Sequence, residues 1–466
     1  MHYLSTRGGV TSIGFADAVT MGLATDGGLL VPAELPRVDA ATLRAWSQLS
    51  FQELALEVFT PFVGDEIPRE DLRALIDRSY AGFSHPEVTP VVEAGGARIL
   101  ELFHGPTAAF KDVALQFLGN LFEYLLARDG GELNIVGATS GDTGSAAIYG
   151  LRGKARIRVF ILHPKGRVSP IQARQMTTVL DDNVHNIAVE GTFDDAQRIV
   201  KTLFSDLPFK RSHHLGAVNS INWARILAQM VYYFYAWGRV SGGDPERAVS
   251  FSVPTGNFGD VFAGYLARRM GLPVRRLVIA TNRNDILTRF VDSGVYAAES
   301  QVHRTLSPAM DIQLASNFER YLYFLHDGDC ARVRALFEGL REHGRIELDA
   351  ERHARVRADF DARAASDAET LEQIRASYEC DGYICCPHTA VGLHAARGMD
   401  DAICLATAHP AKFNEAVEQA IGQGAPLPPS LQGLMEREQR CVELPATVEA
   451  IKAEIERTLA ATGAGA

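Results

Sequence analysis

Residues 248–271 read AVSFSVPTGNFGDVFAGYLARRMG: a short apolar run, a glycine-rich turn, and then apolar residues at helical spacing. An apolar run of this length is typical of a strand that is buried on both faces of a parallel sheet. Gly256 and Gly259 let the backbone approach an anion closely where the helix begins. The stretch therefore predicts a strand, a turn that either binds an anion or only caps the helix, and a helix, within an α/β fold.

Five other runs have the same apolar character. They begin at Leu133 (LNIVGA), Arg156 (RIRVFIL), Asn186 (NIAVE), Arg275 (RRLVIA) and Ala402 (AICLATA). Most are followed by a Gly-, Ser- or Asp-bearing turn and a helix-period segment, an order that indicates right-handed crossovers and a mostly parallel sheet. Such sheets bind ligands in the loops beyond the carboxyl ends of the strands, so functional residues are expected in those loops.

The composition excludes several classes of protein. The 466 residues contain 46 Lys and Arg against 57 Asp and Glu, a net charge of −11, which argues against a general nucleic-acid binder. No run approaches the ~20 apolar residues that span a bilayer, and MHYLSTRGGV has no apolar secretory segment. The six cysteines are sparse and contain no CxxC pair. We therefore expect a reduced, cytoplasmic protein that contacts neither membrane nor nucleic acid.

The pattern divides the chain into three regions. Residues 1–90 are predicted to form a punctuated helical region, residues 91–217 an α/β domain, and residues 218–466 a larger α/β domain. Within the last region, the charged stretch 330–377 is expected to be a helical insertion with a mostly solvated surface.

A lysine lies at the start of a predicted helix in HGPTAAFKDVALQFLGNL, residues 104–121. Apolar residues recur at helical spacing from Phe110 onward, so Lys111 begins the helix. The partial positive charge of a helix N-terminus disfavours the protonated ammonium, which makes such a lysine a better imine-forming nucleophile. The alternative is a surface lysine beside Asp112.

Two further loops follow predicted strands. In GATSGDTGSAAIYG, residues 137–150, hydroxyls and bare backbone N–H groups at a helix start would suit a carboxylate or phosphate, although a capped turn would look the same. In ICLATAHPAKFNEAV, residues 403–417, Thr407 leaves the end of a buried strand and Lys412 lies just beyond it. Taken alone, the second loop is a strand-end turn stopped by proline.

A metal site is not expected. Cys380, Cys385, Cys386 and His388 lie close together in ECDGYICCPH, but the spacing fits no zinc pattern, and adjacent cysteines cannot easily share one tetrahedral metal. Buried thiols beside a strand end are the preferred interpretation.

These motifs, taken in order, resemble those of the threonine synthases, which are pyridoxal-phosphate enzymes of fold type II with a fold like that of tryptophan synthase β. The similarity runs from YLSTRGG through HGPTAAFKDVALQFLGNLF, TSGDTGSAA, NSINWARILAQ and PTGNFGD to TAHPAKF. The layout is that of the longer, bacterial and fungal type. The resemblance implies two α/β domains with mostly parallel sheets, an N-terminal helical region, and pyridoxal 5′-phosphate as the cofactor.

The resemblance also implies roles for matching positions. Lys111 would form the internal Schiff base with the cofactor, and Thr407 would hydrogen-bond the pyridine nitrogen. A hydroxyl partner leaves that nitrogen largely unprotonated, which weakens the electron sink. The cofactor phosphate would lie on Gly256, Asn257, Phe258, Gly259 and Asp260, and the substrate carboxylate on the loop from Thr139 through Ser140, Gly141, Asp142 and Thr143 to Gly144.

The implied reaction converts O-phospho-L-homoserine and water to L-threonine and phosphate. The amine of Lys111 would take the α-proton, phosphate would leave from the γ-carbon, and water would add at the β-carbon. The dianionic leaving group needs a basic pocket, for which we expect Lys412, Arg225, Asn219, Ser169 and Arg7.

Two other functions stay open on the sequence. One is a related serine or threonine dehydratase, and the other is a non-catalytic relative that binds a phosphorylated metabolite. A monomer and a homodimer are equally compatible with the sequence.

Overall fold

The computed structural model describes residues 1–299 and 301–463, which form two compact units. The first unit contains residues 1–114 and 220–426, and the second contains residues 115–219 together with the segment from Leu427 onward. The chain thus changes unit after Ala114, Asn219 and Pro426, whereas the sequence placed its divisions after residues 90 and 217.

Fifteen strands are present in the described residues. They are β1 (Tyr3–Ser5), β2 (Leu30–Pro32), β3 (Val91–Ala94), β4 (Ala97–Glu101), β5 (Leu133–Ala138), β6 (Ile157–Pro164), β7 (Val184–Glu190), β8 (Leu215–Gly216), β9 (Val249–Pro254), β10 (Val274–Thr281), β11 (Val295–Ala297), β12 (Arg345–Glu347), β13 (Phe360–Ala364), β14 (Ala402–Ala406) and β15 (Val442–Pro445).

The α-helices of the same residues connect and cover these strands. They are α1 (Phe15–Met21), α2 (Ala40–Trp46), α3 (Phe51–Val63), α4 (Arg69–Tyr80), α5 (Lys111–Asp129), α6 (Asp142–Leu151), α7 (Pro170–Thr177), α8 (Phe193–Ser205), α9 (Leu207–Ser212), α10 (Trp223–Ser241), α11 (Gly259–Met270), α12 (Ile286–Ser293), α13 (Phe318–Leu325), α14 (Cys330–His343), α15 (Ala350–Asp359), α16 (Asp367–Asp381), α17 (Pro387–Ala395), α18 (Asn414–Ile421) and α19 (Val448–Gly463). None of these helices has an apolar stretch long enough to cross a bilayer.

The first unit is built on a six-stranded sheet with the order β13-β10-β9-β14-β4-β3. Only the pair β3 and β4 is antiparallel, and the other neighbours run parallel. The central strands β9 and β14 are buried along their whole length. Their carboxyl ends therefore open into the loops that follow Pro254 and Ala406, which carry the glycine-rich turn and Thr407.

The second unit is built on a five-stranded parallel sheet with the order β15-β7-β6-β5-β8. Its core is formed by apolar residues of β5, β6 and β7 together with α8 and the buried side chains Ile451 and Ile455 of α19. Strand β5 runs directly into the predicted carboxylate loop at Thr139.

All six apolar runs form the predicted strands, and they pair in parallel. The predicted helical insertion over 330–377 also contains two strands: residues 345–347 form β12 and pair antiparallel with β11, and residues 360–364, FDARA, form β13 and pair in parallel with β10. Strand β13 escaped detection because it lies at the edge of the sheet, where only Phe360 is buried and Asp361 and Arg363 interrupt the apolar run. The rest of the stretch is mainly helical and largely exposed, as expected.

Two glycines allow α5 and α6 to touch backbone to backbone inside the second unit. A Cβ on Gly119 would overlap the carbonyl oxygen of Gly150, and a Cβ on Gly150 would overlap the carbonyl oxygen of Leu115. A helix glycine lowers stability by about 0.5–1 kcal/mol relative to alanine unless close packing requires it. The close contact of α5 and α6 requires glycine at both positions.

We therefore expect Gly119→Ala to lower the free energy of unfolding by about 2 kcal/mol, because the added methyl forces the two helices apart. The matched control is Gly339→Ala in α14, where a Cβ would meet no atom within 4 Å. That variant should be neutral or gain up to ~1 kcal/mol. Urea unfolding of both variants measures the difference, and equal stability of the two would contradict the close contact of α5 and α6.

Candidate active site

Backbone hydrogen bonds bring Lys111 next to Thr407 in the first unit. Ala109 and Ala408 form an antiparallel bridge. The amide N–H of Phe110 donates to the carbonyl oxygen of Thr407 at 2.8 Å, and the N–H of His409 donates to that of Ala108 at 3.0 Å. The segment before α5 is thus fastened to the segment after β14, and Lys111 is the first residue of α5, as predicted.

The chain turns sharply on both sides of this bridge. Ala108 has a φ of +55°, a left-handed conformation that a non-glycine residue adopts only when its surroundings hold it there. On the opposite side, Nδ1 of His409 accepts from the N–H of Ala411 at 3.3 Å and begins the turn 410–413. Burial lowers the pKa of His409 to about 4, so its imidazole is neutral at pH 7 and can accept this bond.

The glycine-rich turn connects β9 to α11. Phe258 has a φ of +63°, and its buried ring packs against Phe318, Tyr321 and Phe360. The ring anchors the turn in the core, and the backbone of the turn lies at the N-terminus of α11. At Gly256 a Cβ would lie 2.9 Å from the carbonyl oxygen of Ala309, so only glycine fits. A helix N-terminus with this bare backbone is suited to an anion.

Asn317, which the sequence analysis missed, fixes the turn from one side. Its backbone N–H and its Nδ2 donate to the carbonyl oxygen of Asn257 at 3.0 and 3.2 Å, and Nδ2 also donates to Ser220. Arg320, which is fully buried, donates to Oδ1 of Asn317 and to the carbonyl oxygen of Leu30. No local pattern marks either residue, because the partners that they bind outside this pair lie 60 or more positions away in the chain.

The carboxylate of Asp260 binds to α10. Its Oδ1 accepts from the hydroxyls of Tyr232 at 2.6 Å and Tyr233 at 2.9 Å, both on α10. Burial raises the pKa of Asp260 to about 6, and the two tyrosine hydroxyls oppose that rise. The carboxylate of Asp260 thus fixes the start of α11 to α10.

Arg225 is a buried cation in the first turn of α10. It is 4% exposed, and within residues 1–299 and 301–463 neither its Nε nor its Nη1 has a hydrogen-bond partner. Burial lowers its pKa to about 10. The next residue, Ile226, lies 3.6 Å from the position of a Cβ on Gly259, so the first turn of α10 borders the glycine-rich turn. A buried charge is costly unless it is paired, so an anionic ligand near Arg225 would relieve that cost.

Two other predicted phosphate contacts have protein partners. Arg7 donates from Nε and Nη2 to the carboxylate of Glu319 at 2.9 and 2.7 Å, which is the bidentate geometry of a strong ion pair. Lys412 donates from Nζ to the carbonyl oxygen of Thr107 at 2.8 Å. The structure therefore gives both cations a contact within the protein.

The second unit carries the predicted carboxylate loop. Oγ1 of Thr139 accepts from the N–H groups of Gly141 and Gly144 at 3.0 and 2.9 Å, so this hydroxyl shapes the loop. Ser140 is exposed and Thr143 is half-buried. Helix α6 begins at Asp142, and the N-terminus of a helix is suited to a carboxylate.

A hydrogen-bonded chain supports this loop. The hydroxyl of Ser169 donates to Oε1 of Gln172 at 2.9 Å, and Nε2 of Gln172 donates to Oδ1 of Asp142 at 2.8 Å. Ser169 also caps α7 by accepting from the N–H of Gln172. Asn219 lies half-buried in the loop between β8 and α10.

The cysteine cluster has a structural arrangement. Cys380 is exposed, whereas Cys385 and Cys386 are buried, and Sγ of Cys386 accepts from the N–H of Thr389 to cap α17. Among the residues that the structure describes, no group of three or more His, Cys, Asp or Glu side chains could hold a metal ion.

Three family models match the chain in sequence. "Threonine synthase N terminus" matches residues 2–80, "Pyridoxal-phosphate dependent enzyme" matches residues 87–406, and "Threonine synthase, C-terminal" matches residues 389–455. The threonine synthase of Pseudomonas aeruginosa is 49% identical over 97% of each chain.

Solved structures agree with these matches. The pyridoxal-phosphate-bound threonine synthase of Brucella melitensis has a TM-score of 0.95 and 47% identity, over 98% of this chain and 99% of that one. The yeast threonine synthase has a TM-score of 0.94 and 48% identity, with the same coverage. The protein belongs to the threonine synthase family of pyridoxal-phosphate-dependent enzymes.

Proposed function

We propose that the protein binds pyridoxal 5′-phosphate and converts O-phospho-L-homoserine and water to L-threonine and phosphate. One observation carries the proposal: Lys111 begins a helix whose preceding segment is hydrogen-bonded to Thr407 at the end of a central strand. A nucleophilic amine and a hydroxyl in that relation suit the aldehyde and the ring nitrogen of one cofactor. Membership of the threonine synthase family supports the choice of reaction.

The residues present fit the cofactor. Gly256 and Gly259 let the turn pack closely at the N-terminus of α11, a position suited to a phosphate, and Asn317 holds the turn in place. When bound, the cofactor supplies an electron sink for the carbanion at the α-carbon. The protein must supply the base, and the amine of Lys111, once displaced by the substrate, is the group we propose to take the α-proton.

Arg225 is the residue we propose for the substrate phosphate. Its buried guanidinium has unpaired donors, and a dianionic leaving group would compensate its charge. Asn219 stays a predicted second contact. We do not include Arg7, because Glu319 already holds its guanidinium, and we expect Ser169 to act through Gln172.

For the substrate carboxylate we propose the loop Thr139–Thr143 of the second unit, which offers the first N–H groups of α6. The six cysteines are free thiols, which supports a reduced compartment, and we propose the cytoplasm. The choice between a monomer and a homodimer stays a prediction.

The direct test is a product assay on the purified protein. O-phospho-L-homoserine should give phosphate and L-threonine in equal amounts, because water replaces the phosphate without loss of the amino group. Ammonia and a keto acid from L-threonine, with no phosphate release, would support a dehydratase instead. Bound cofactor without turnover of either substrate would support a non-catalytic binder.

Arg225→Met should raise the KM for O-phospho-L-homoserine about 100-fold, because a buried charged contact is worth 2–5 kcal/mol or more. The visible absorbance of the cofactor should stay intact. The matched control is Arg239→Met on the same helix, since Arg239 donates to the carbonyl oxygens of Ser47 and Leu49 and should leave KM unchanged. An unchanged KM in Arg225→Met, or loss of cofactor instead, would remove Arg225 from the substrate phosphate site.

Asp260→Asn should become more stable relative to the wild type as pH rises from 4 to 6. The folded pKa of Asp260 is about 6 against 3.8 for an ordinary Asp, so the native state binds more protons over this range and the wild type loses stability with rising pH. The difference should grow by up to about 1.4 kcal/mol per pH unit and then level off above pH 6.

Urea unfolding of the cofactor-loaded proteins at several pH values measures this slope. The control is Asp195→Asn, because hydrogen bonds from Thr192 lower the pKa of Asp195 and its difference from wild type should be flat over the same range. A flat or falling curve for Asp260→Asn would contradict the raised pKa.

A further inference from the structure

All three polar groups of Thr107, a buried residue four positions before Lys111, are bound within the protein. Its N–H donates to Oδ2 of Asp112 at 2.8 Å, and its hydroxyl donates to Oδ1 of Asp112 at 2.7 Å. Its carbonyl oxygen accepts from Nζ of Lys412 at 2.8 Å. Asp112 directly follows Lys111. The two bonds between Thr107 and Asp112 therefore close a short loop, residues 107–112, that contains Lys111. We call Thr107, Asp112 and Lys412 the lysine clasp.

The clasp needs the glycine of HGPT. A Cβ on Gly105 would overlap the side chain of Asp112. The carboxylate fits here only because residue 105 is a glycine. Asp112 is fully buried, and its own N–H donates to the carbonyl oxygen of Ala109 at 3.0 Å. The carboxylate is therefore built into the turn that carries Lys111 rather than exposed beside it.

Lys412 connects Thr107 and Asp112 to the turn that follows Thr407. It is 2% exposed and lies in the turn 410–413, a few residues after Thr407. Burial raises the pKa of Asp112 to about 6, and the hydrogen bonds from Thr107 and the ammonium of Lys412 oppose that rise. Two buried charges are kept where each supports the other through good hydrogen bonds. Lys412 thus fastens the turn that follows Thr407 to the loop that precedes Lys111, in addition to the bridge between Ala109 and Ala408.

We propose that Asp112 and Lys412 are positioning residues that hold Lys111 at the cofactor. Lys412 then stabilises the covalent link between Lys111 and the cofactor and does not bind the substrate phosphate. The proposal rests on the proposed function, in which Lys111 carries the cofactor. An amine that the protein holds in position has a high effective concentration toward the cofactor aldehyde and so resists displacement by a free amine. Loosening the clasp lowers that effective concentration.

The test measures this effective concentration on the cofactor-loaded protein. Methylamine is titrated against the wild type, Lys412→Met and Asp112→Asn, and borohydride then fixes the fraction of cofactor still attached to Lys111. The methylamine concentration that displaces half of the cofactor should fall about 10-fold or more in both variants. The KM for O-phospho-L-homoserine should not rise in Lys412→Met.

The double variant Lys412→Met/Asp112→Asn tests whether the two charges act together. Since residues of one network are not additive, its midpoint should shift no further than that of the more affected single variant. If Asp112→Asn fails to fold, Thr107→Val removes one bond of the clasp and should give a smaller shift in the same direction.

The matched control is Lys154→Met. This half-buried lysine donates to Asn120 and Glu123 in the second unit, and its loss should leave the methylamine midpoint unchanged. An unchanged midpoint in Lys412→Met, with or without a raised KM, would overturn the proposal, as would an equal shift in Lys154→Met. Absence of trapped cofactor on Lys111 in the wild type would instead refute the proposed function.

Discussion

The bridge between Ala109 and Ala408 is the contact on which the candidate active site depends. It joins two segments that lie about three hundred residues apart in the sequence, and its flanking backbone bonds set Lys111 beside Thr407. One segment begins a helix and the other ends a central parallel strand, so both are backed by rigid elements. A catalytic group on such elements is held more firmly than one on a free loop.

Buried charged groups are the second feature that organises the candidate active site. They include cations, although the chain as a whole has a net charge of −11. The charged groups around the site fall into two kinds. Asp260, Asp112, Lys412 and Arg7 all bond to protein groups, so their charges shape the fold of the first unit. Arg225 differs because two of its donors lack a partner among the described residues. That difference is the physical reason to assign the phosphate to Arg225 and a positioning role to Lys412.

The sequence was a good guide to the elements that depend on local pattern. The six apolar runs became strands, the periodicity from Phe110 placed the start of α5 at Lys111, and the glycine-rich turn led into α11. It failed where long-range partners decide the outcome. Asn317 and the clasp on Thr107 bond to residues far away in the chain, and β13 is an edge strand without an apolar run. The change of unit after Ala114 falls inside α5, where composition gives no signal of it.

The central claim is that the amine of Lys111, and no other, forms the covalent link to pyridoxal phosphate. Borohydride reduction of the cofactor-loaded protein, followed by proteolysis and mass spectrometry, tests it most directly. We expect a single reduced adduct on the peptide that contains HGPTAAFKD. An adduct on another lysine, or no adduct in a protein that retains the cofactor, would contradict it.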